Sequence, residues 1–200
     1  MIGGTLVVAD IDGTLVEHPY LCEVPFEQKA MTCRRLIELL RRRRLCICTG
    51  RPLRYYESLL REFTGECAFP WYLVAECGGE VLCDGVTVLA RESDPALAAL
   101  EEELRGWATT RGLAIDDDPG ETSVIGICFE RRRCILDVDW NMGEQQKNEA
   151  LQAELTRHVK TVLAGSGLSF VVHAAIRRIV VCSAGFQPKV SIWPEMRELL

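Results

Sequence analysis

The sequence predicts an α/β protein: a Rossmann-like, doubly wound parallel core carrying an inserted α+β domain. Two observations predict it. Over the first 80 residues, short apolar runs without alternation are separated by stretches of helical spacing, as expected of strands buried on both faces of a parallel sheet. After about residue 85 the order becomes helix, strand, strand, twice over, which suits an antiparallel sheet backed by helices. Two hundred residues suffice for one ordinary domain with such an insertion.

The first strand spans 5–9 and ends in Asp10. Residues 26–44 place Met31, Leu36, Leu39 and Leu40 at helical spacing. A second strand at 45–48 is broken by Thr49-Gly50-Arg51-Pro52. Residues 53–63 read as helix, and 71–75 as a third strand closed by Glu76-Cys77-Gly78-Gly79. In the insertion, 95–111 is a helix with Pro95 in its first turn, where the missing N–H does no harm. Strands at 123–130 and 134–140 are joined by a turn at Arg131, Arg132 and Arg133, whose side chains are expected in solvent. A second helix spans 144–163, and two further strands span 168–174 and 177–182. Residues 192–200 begin a last helix. The expected domains are a core over 1–85, the α+β insertion over 86–176, and a return to the core over 177–200.

Composition narrows the function classes. With 48% hydrophobic and 26% charged residues, disorder, collagen and coiled coil are excluded. The apolar runs are far shorter than the roughly 20 residues that span a bilayer. The N-terminus lacks a basic start, so no secretory signal is expected. A net charge of −6 argues against a broad nucleic-acid surface. Arg41 to Arg44 end a helix, where positive charge complements the dipole. Ten cysteines include no CxxC pair, and Cys46, Cys48, Cys128 and Cys182 fall inside strand runs. They read as reduced, structural thiols of a cytoplasmic protein, without zinc spacing.

The chemistry concentrates in Asp10-Ile11-Asp12-Gly13-Thr14, directly after the first strand. Ligands of open α/β sheets bind at the carboxyl ends of strands. A turn at Gly13 can fold both carboxylates round one site. One can attack phosphorus and form an aspartyl-phosphate, while the other moves protons. Two carboxylates and a phosphate dianion repel one another, and Mg²⁺ relieves that repulsion. The alternative for such a run is an ordinary turn ending a strand.

VVADIDGTL resembles the first motif of the haloacid-dehalogenase-like phosphohydrolases, and CTGRP at 48–52 resembles their second. VAECGGEVLCDG at 74–85 is similar to the third-strand segment of members with a cap inserted there, with Cys77-Gly78 in place of the usual Asn-Gly. The helix–strand–strand repeat resembles the α/β caps of the sugar-phosphate phosphatase branch. The resemblance implies Asp10 as nucleophile and Mg²⁺ ligand. It implies Asp12 as general acid/base, with its carbonyl on the metal. Thr49 would bind a phosphoryl oxygen, with Gly50 allowing close approach. Arg51 is a further phosphate contact or a solvated loop residue. Among only four lysines, Lys189 matches the family's charge-neutralising lysine, although Val190 follows it where Gly is usual. The substrate implied is a small phosphorylated metabolite, a sugar phosphate by branch.

The family's fourth motif, an acidic Gly-Asp segment that completes the metal site, finds no room in the eleven residues after Lys189. The expectation is a fragment or a variant with a weakened metal site. Asp137-Val138-Asp139 repeats the DxD spacing but is followed by Trp140 and Asn141, and Asp116 to Asp118 read as a loop. Glu130, His173, Arg177 and Arg178 are surface or packing residues, or substrate contacts. His173 on an apolar strand reads as a core histidine, and the four tryptophans read as core. A phosphomutase and a non-catalytic binding module are the competing functions.

Overall fold

Strand β1 (Leu6–Asp10) pairs in parallel with β2 (Arg44–Cys48), and β2 with β3 (Trp71–Ala75). Asp10 lies opposite Cys48, and Cys48 opposite Val74, so the three strands end at one rim. Ile47, Leu73 and Val74 are at most 1% exposed, as the unalternating apolar runs require. This computed structural model describes residues 6–10, 44–52, 71–116, 125–188 and 190–199. The helices expected over 26–44 and 53–63 lie outside the described residues, except that Arg44 opens β2 instead of ending a helix.

Two antiparallel strands extend the parallel sheet, and the sequence reading did not anticipate them. β4 (Glu80–Cys83) pairs with β3, and β5 (Val86–Ala90) with β4, in the order β1-β2-β3-β4-β5. Their turn is Asp84-Gly85, with φ of 49° and 82°. Both values are positive, as a tight two-residue hairpin demands and as Asp-Gly favours. Asp84 fastens the turn to Trp71: its backbone N donates to Trp71 O at 3.0 Å, and its Oδ1 accepts from Trp71 N at 3.1 Å. Two reversals leave β5 running in the direction of β3, so the chain departs from the rim where β1 to β3 end.

A second sheet follows, built from β6 (Ile115–Asp116), β7 (Gly126–Arg131), β8 (Ile135–Asn141), β9 (Ser169–His173) and β10 (Arg178–Cys182). Its order is β6-β7-β8-β10-β9, antiparallel except for β6 on β7. Helix α1 (Pro95–Thr110) begins at Asp94, whose Oδ1 caps Ala96 N at 2.9 Å. Helix α2 (Gln145–Val162) follows β8. Leu97, Leu100, Leu104 and Trp107 of α1, with Leu151, Leu155 and Val159 of α2, share a core with the inward residues of β7, β8 and β10. Neither helix is long and apolar enough to cross a membrane, nor is any other among the described residues.

The chain divides into one unit of Met1–Arg91 with Pro188–Leu200 and another of Glu92–Gln187. Both expected boundaries therefore shift. Residues 86–90 belong to the first sheet because β5 pairs with β4, and 178–182 belong to the second because β10 lies between β8 and β9. The return to the first unit thus begins at 188, not 177, and ends in helix α3 (Trp193–Leu199). Three tryptophans are core as expected, while Trp193 is only partly buried. His173 is exposed, contrary to the core reading, because strand β9 alternates exposed and half-buried positions.

Candidate functional site

The first unit brings together segments far apart in the chain. Asp10 ends β1, and Thr49 follows Cys48, its neighbour across the ladder. Adjacent strands lie about 4.8 Å apart, so the acid and the Thr49–Arg51 loop begin as immediate neighbours. Asp12 and Lys189 lie outside the described residues.

Main-chain hydrogen bonds hold the loop. Thr49 N donates to Val74 O at 2.8 Å, Cys77 N to Thr49 O at 2.9 Å, and Glu76 N to Arg51 O at 3.0 Å. Within the loop, Arg51 N donates to Thr49 Oγ1 at 3.1 Å. Thr49 is fully buried and Arg51 is 8% exposed, so Arg51 is not the solvated loop residue that one reading allowed. Glu76 and Cys77 adopt left-handed φ of 52° and 55°, which turns their amides towards the loop. Asn tolerates that conformation better than most residues; Cys77 adopts it here. A Cβ on Gly50 would stand 3.2 Å from Cys77 Sγ, so the loop and the turn approach closely.

The returning chain closes the site from another side. Gly78 has φ of 107°, and a Cβ there would meet Ile192 Cβ at 2.9 Å. Ile192 and Met196 are fully buried in the cluster that holds Cys46, Cys48, Val74 and Val81. The Cys46 and Cys48 sulfurs are 4.0 Å apart. That contact and burial push the Cys46 thiol far above its usual range, so it is an inert core group.

The other DxD is neutralised in mid-sheet. Asp137 is 2% exposed, and its Oδ2 takes a bond from Arg132 Nη2 at 2.6 Å, with Arg178 Nη1 at 3.6 Å. Burial pushes its carboxyl upward, against the pull of Arg132 and Arg178. Arg178 grips Asp139 with two bonds of 2.6 and 2.8 Å. Arg132 also bonds Glu130 at 2.7 Å. The expectation that Arg132 is solvated therefore fails, because two acids, Glu130 on β7 and Asp137 on β8, draw it onto the sheet. Asp116 belongs to β6, and residues 117–118 lie outside the described residues.

Among the described residues, no group of three or more His, Cys, Asp or Glu side chains is arranged to hold a metal. What the rim offers is Asp10 at the end of β1, followed in the chain by Asp12. That donor set fits Mg²⁺, which binds through one or two carboxylates with water and substrate phosphate, and does not need an all-protein cage.

No protein-family model matches the chain, and no curated protein does. Solved structures do. A trehalose-6-phosphate phosphatase related protein aligns with TM-score 0.60 at 19% identity, covering 97% of this chain and 74% of its own. The C-terminal domain of the trehalose-6-phosphate phosphatase of C. albicans aligns with TM-score 0.61 at 18% identity, covering 94% and 59%. An IMP-nucleotidase of Plasmodium falciparum aligns with TM-score 0.53 at 12% identity, covering 98% and 56%. The chain thus spans about three quarters of the first structure and under two thirds of the others. At these identities the likeness is one of fold, and the chain shares the fold of these solved phosphatase structures.

Proposed function

We propose that the protein is a phosphatase acting on a small phosphorylated metabolite, a sugar phosphate by preference, through an aspartyl-phosphate on Asp10. The observation that carries the reading is the parallel register that ends β1 in Asp10 beside the Thr49 loop, within the fold of known phosphatases. Asp10 attacks phosphorus as the bond from phosphorus to the ester oxygen breaks, and Asp12 gives its proton to the departing alkoxide. Asp12 then takes a proton from water as that water attacks the acyl phosphate, releasing inorganic phosphate and restoring Asp10. The Thr49 hydroxyl accepts from Arg51 N, and the loop it holds would receive a phosphoryl oxygen. Arg51 and Lys189 supply positive charge to the transferred group, where most of the catalysis of this reaction lies. Mg²⁺ held by Asp10 and the Asp12 carbonyl would neutralise the acids and polarise the phosphate. The second unit, 92–187, is the proposed cap, and it would choose the substrate.

The test is hydrolysis of an aryl phosphate by the 200-residue chain in Mg²⁺, with a chelator as control, beside the Asp10→Asn variant. Turnover that needs Mg²⁺ and disappears in the variant supports the reading; undiminished turnover in the variant refutes the nucleophile. A non-catalytic binding module of the same fold is the second reading, favoured by the complete burial of Thr49. Phosphate binding without turnover would select it.

A further inference from the structure

The first unit is interrupted between Arg91 and Pro188, and Arg91 fastens the two sides of that interruption. Its backbone N donates to Gly79 O at 2.9 Å, and its Nε to Gly78 O at 3.2 Å. Its Nη2 donates to Ser191 O at 3.0 Å and to Glu195 Oε1 at 2.6 Å. One guanidinium therefore joins the outgoing strand, the 76–79 turn and the returning chain, 100 residues later. The turn it holds is the one whose amides carry the Thr49–Arg51 loop. The returning segment it holds also buries Ile192 against Gly78.

We propose that Arg91 is a positioning residue for phosphoryl binding. By clasping the 76–79 turn to Ser191 and Glu195, it sets the distance between the Thr49–Arg51 loop and the returning chain. The role rests on the phosphatase reading for its effect on catalysis, whereas the clasp itself does not.

The planar fork is essential to this role. Arg can aim Nε and Nη2 at different acceptors at once, and Lys has one nitrogen on a flexible stem. Arg91 and Glu195 are each about one-third exposed, so as an isolated ion pair they would add little stability. What they supply is registry between segments a hundred residues apart. Ile192 and Met196 keep the returning chain buried if the clasp opens, so the variants should stay folded.

The test uses Arg91→Lys and Glu195→Gln in the full 200-residue chain, with Lys147→Ala, an exposed residue of the second unit, as control. Amide hydrogen exchange, thermal midpoint, aryl-phosphate kinetics and inhibition by inorganic phosphate are measured on each. Both clasp variants should lose exchange protection at least tenfold at Cys77 and Gly79 and at 190–192, with the midpoint within a few degrees of wild type. Their kcat should fall about tenfold or more, inhibition by phosphate should weaken in parallel, and combining them should do no further harm. Unchanged exchange at those amides would overturn the clasp. Loosened exchange with unchanged kcat and phosphate inhibition would overturn the positioning role. If wild-type protein turns over no phosphate ester, the phosphatase reading fails separately, and the exchange data still decide the clasp.

Discussion

Two Asp-x-Asp runs stand 127 residues apart and share nothing but their spacing. Asp10 closes a parallel strand at a sheet rim, beside a loop suspended on main-chain hydrogen bonds. Asp137 and Asp139 sit within an antiparallel strand, flanked by Arg132 and Arg178 at salt-bridge distance. A carboxylate already paired with a guanidinium has its charge compensated inside the protein. Asp10 instead stands at the end of its strand, opposite Cys48. The same spacing thus occupies two different positions in a sheet.

Four substitutions or conditions test that contrast. Asp10→Asn should lower aryl-phosphate turnover by about a thousandfold or more, as removal of a covalent nucleophile does, while circular dichroism stays unchanged. Asp139→Asn should leave turnover within about threefold, because that carboxylate is occupied by Arg178. Equal losses in the two variants would erase the distinction. Arg132→Met should instead act on folding. It strands Glu130 and Asp137 in the interior, and breaking such a buried pair costs about 3–5 kcal/mol, readable by urea denaturation. Gly78→Ala should destabilise the first unit by about 1–3 kcal/mol through its left-handed φ and the Ile192 contact; a stability equal to wild type would mean that the returning chain yields easily.

The smallest effect concerns pH and the second unit. His158 stacks on Trp107 at 5.3 Å, and burial lowers its proton affinity below the ordinary value of 6.5, with Glu103 opposing. The folded state then binds that proton less readily than the unfolded chain. Acidification through pH 6.5 should reduce stability slightly, and His158→Phe should flatten the dependence. The ring is partly exposed, so the slope will be shallow. A stability that rises on acidification in this range, and does so less in His158→Phe, would reverse the assignment.

Much of the fold was legible because its signals are local. The strands at β1, β2 and β3 are dense in Val, Leu and Ile, and Pro95 and the helical stripe define α1 within a residue. The hairpin of β4 and β5 was missed although Asp84-Gly85 is a strong local turn signal; it was read as part of a motif instead of as a turn. The insertion boundary slipped for the same reason, since β5 looks like any short strand until its partner is known. Asp10 and Thr49 are legible because one ends a strand and the other directly follows one. Arg91 is not, for its partners Ser191 and Glu195 lie a hundred residues on and no local pattern announces them. Arg132 was misread because a triplet of arginines suggests solvent, and only the sheet register shows that Glu130 and Asp137 wait on either side.

The β4–β5 ribbon also fixes a width. With about 4.8 Å between neighbours, the three steps from β2 to β5 move the point of exit some 14 Å sideways from Thr49. A shorter connection would have sent the polypeptide off directly beside the loop. The detour leaves the 76–79 turn standing between the loop and the point of exit, bonded to both.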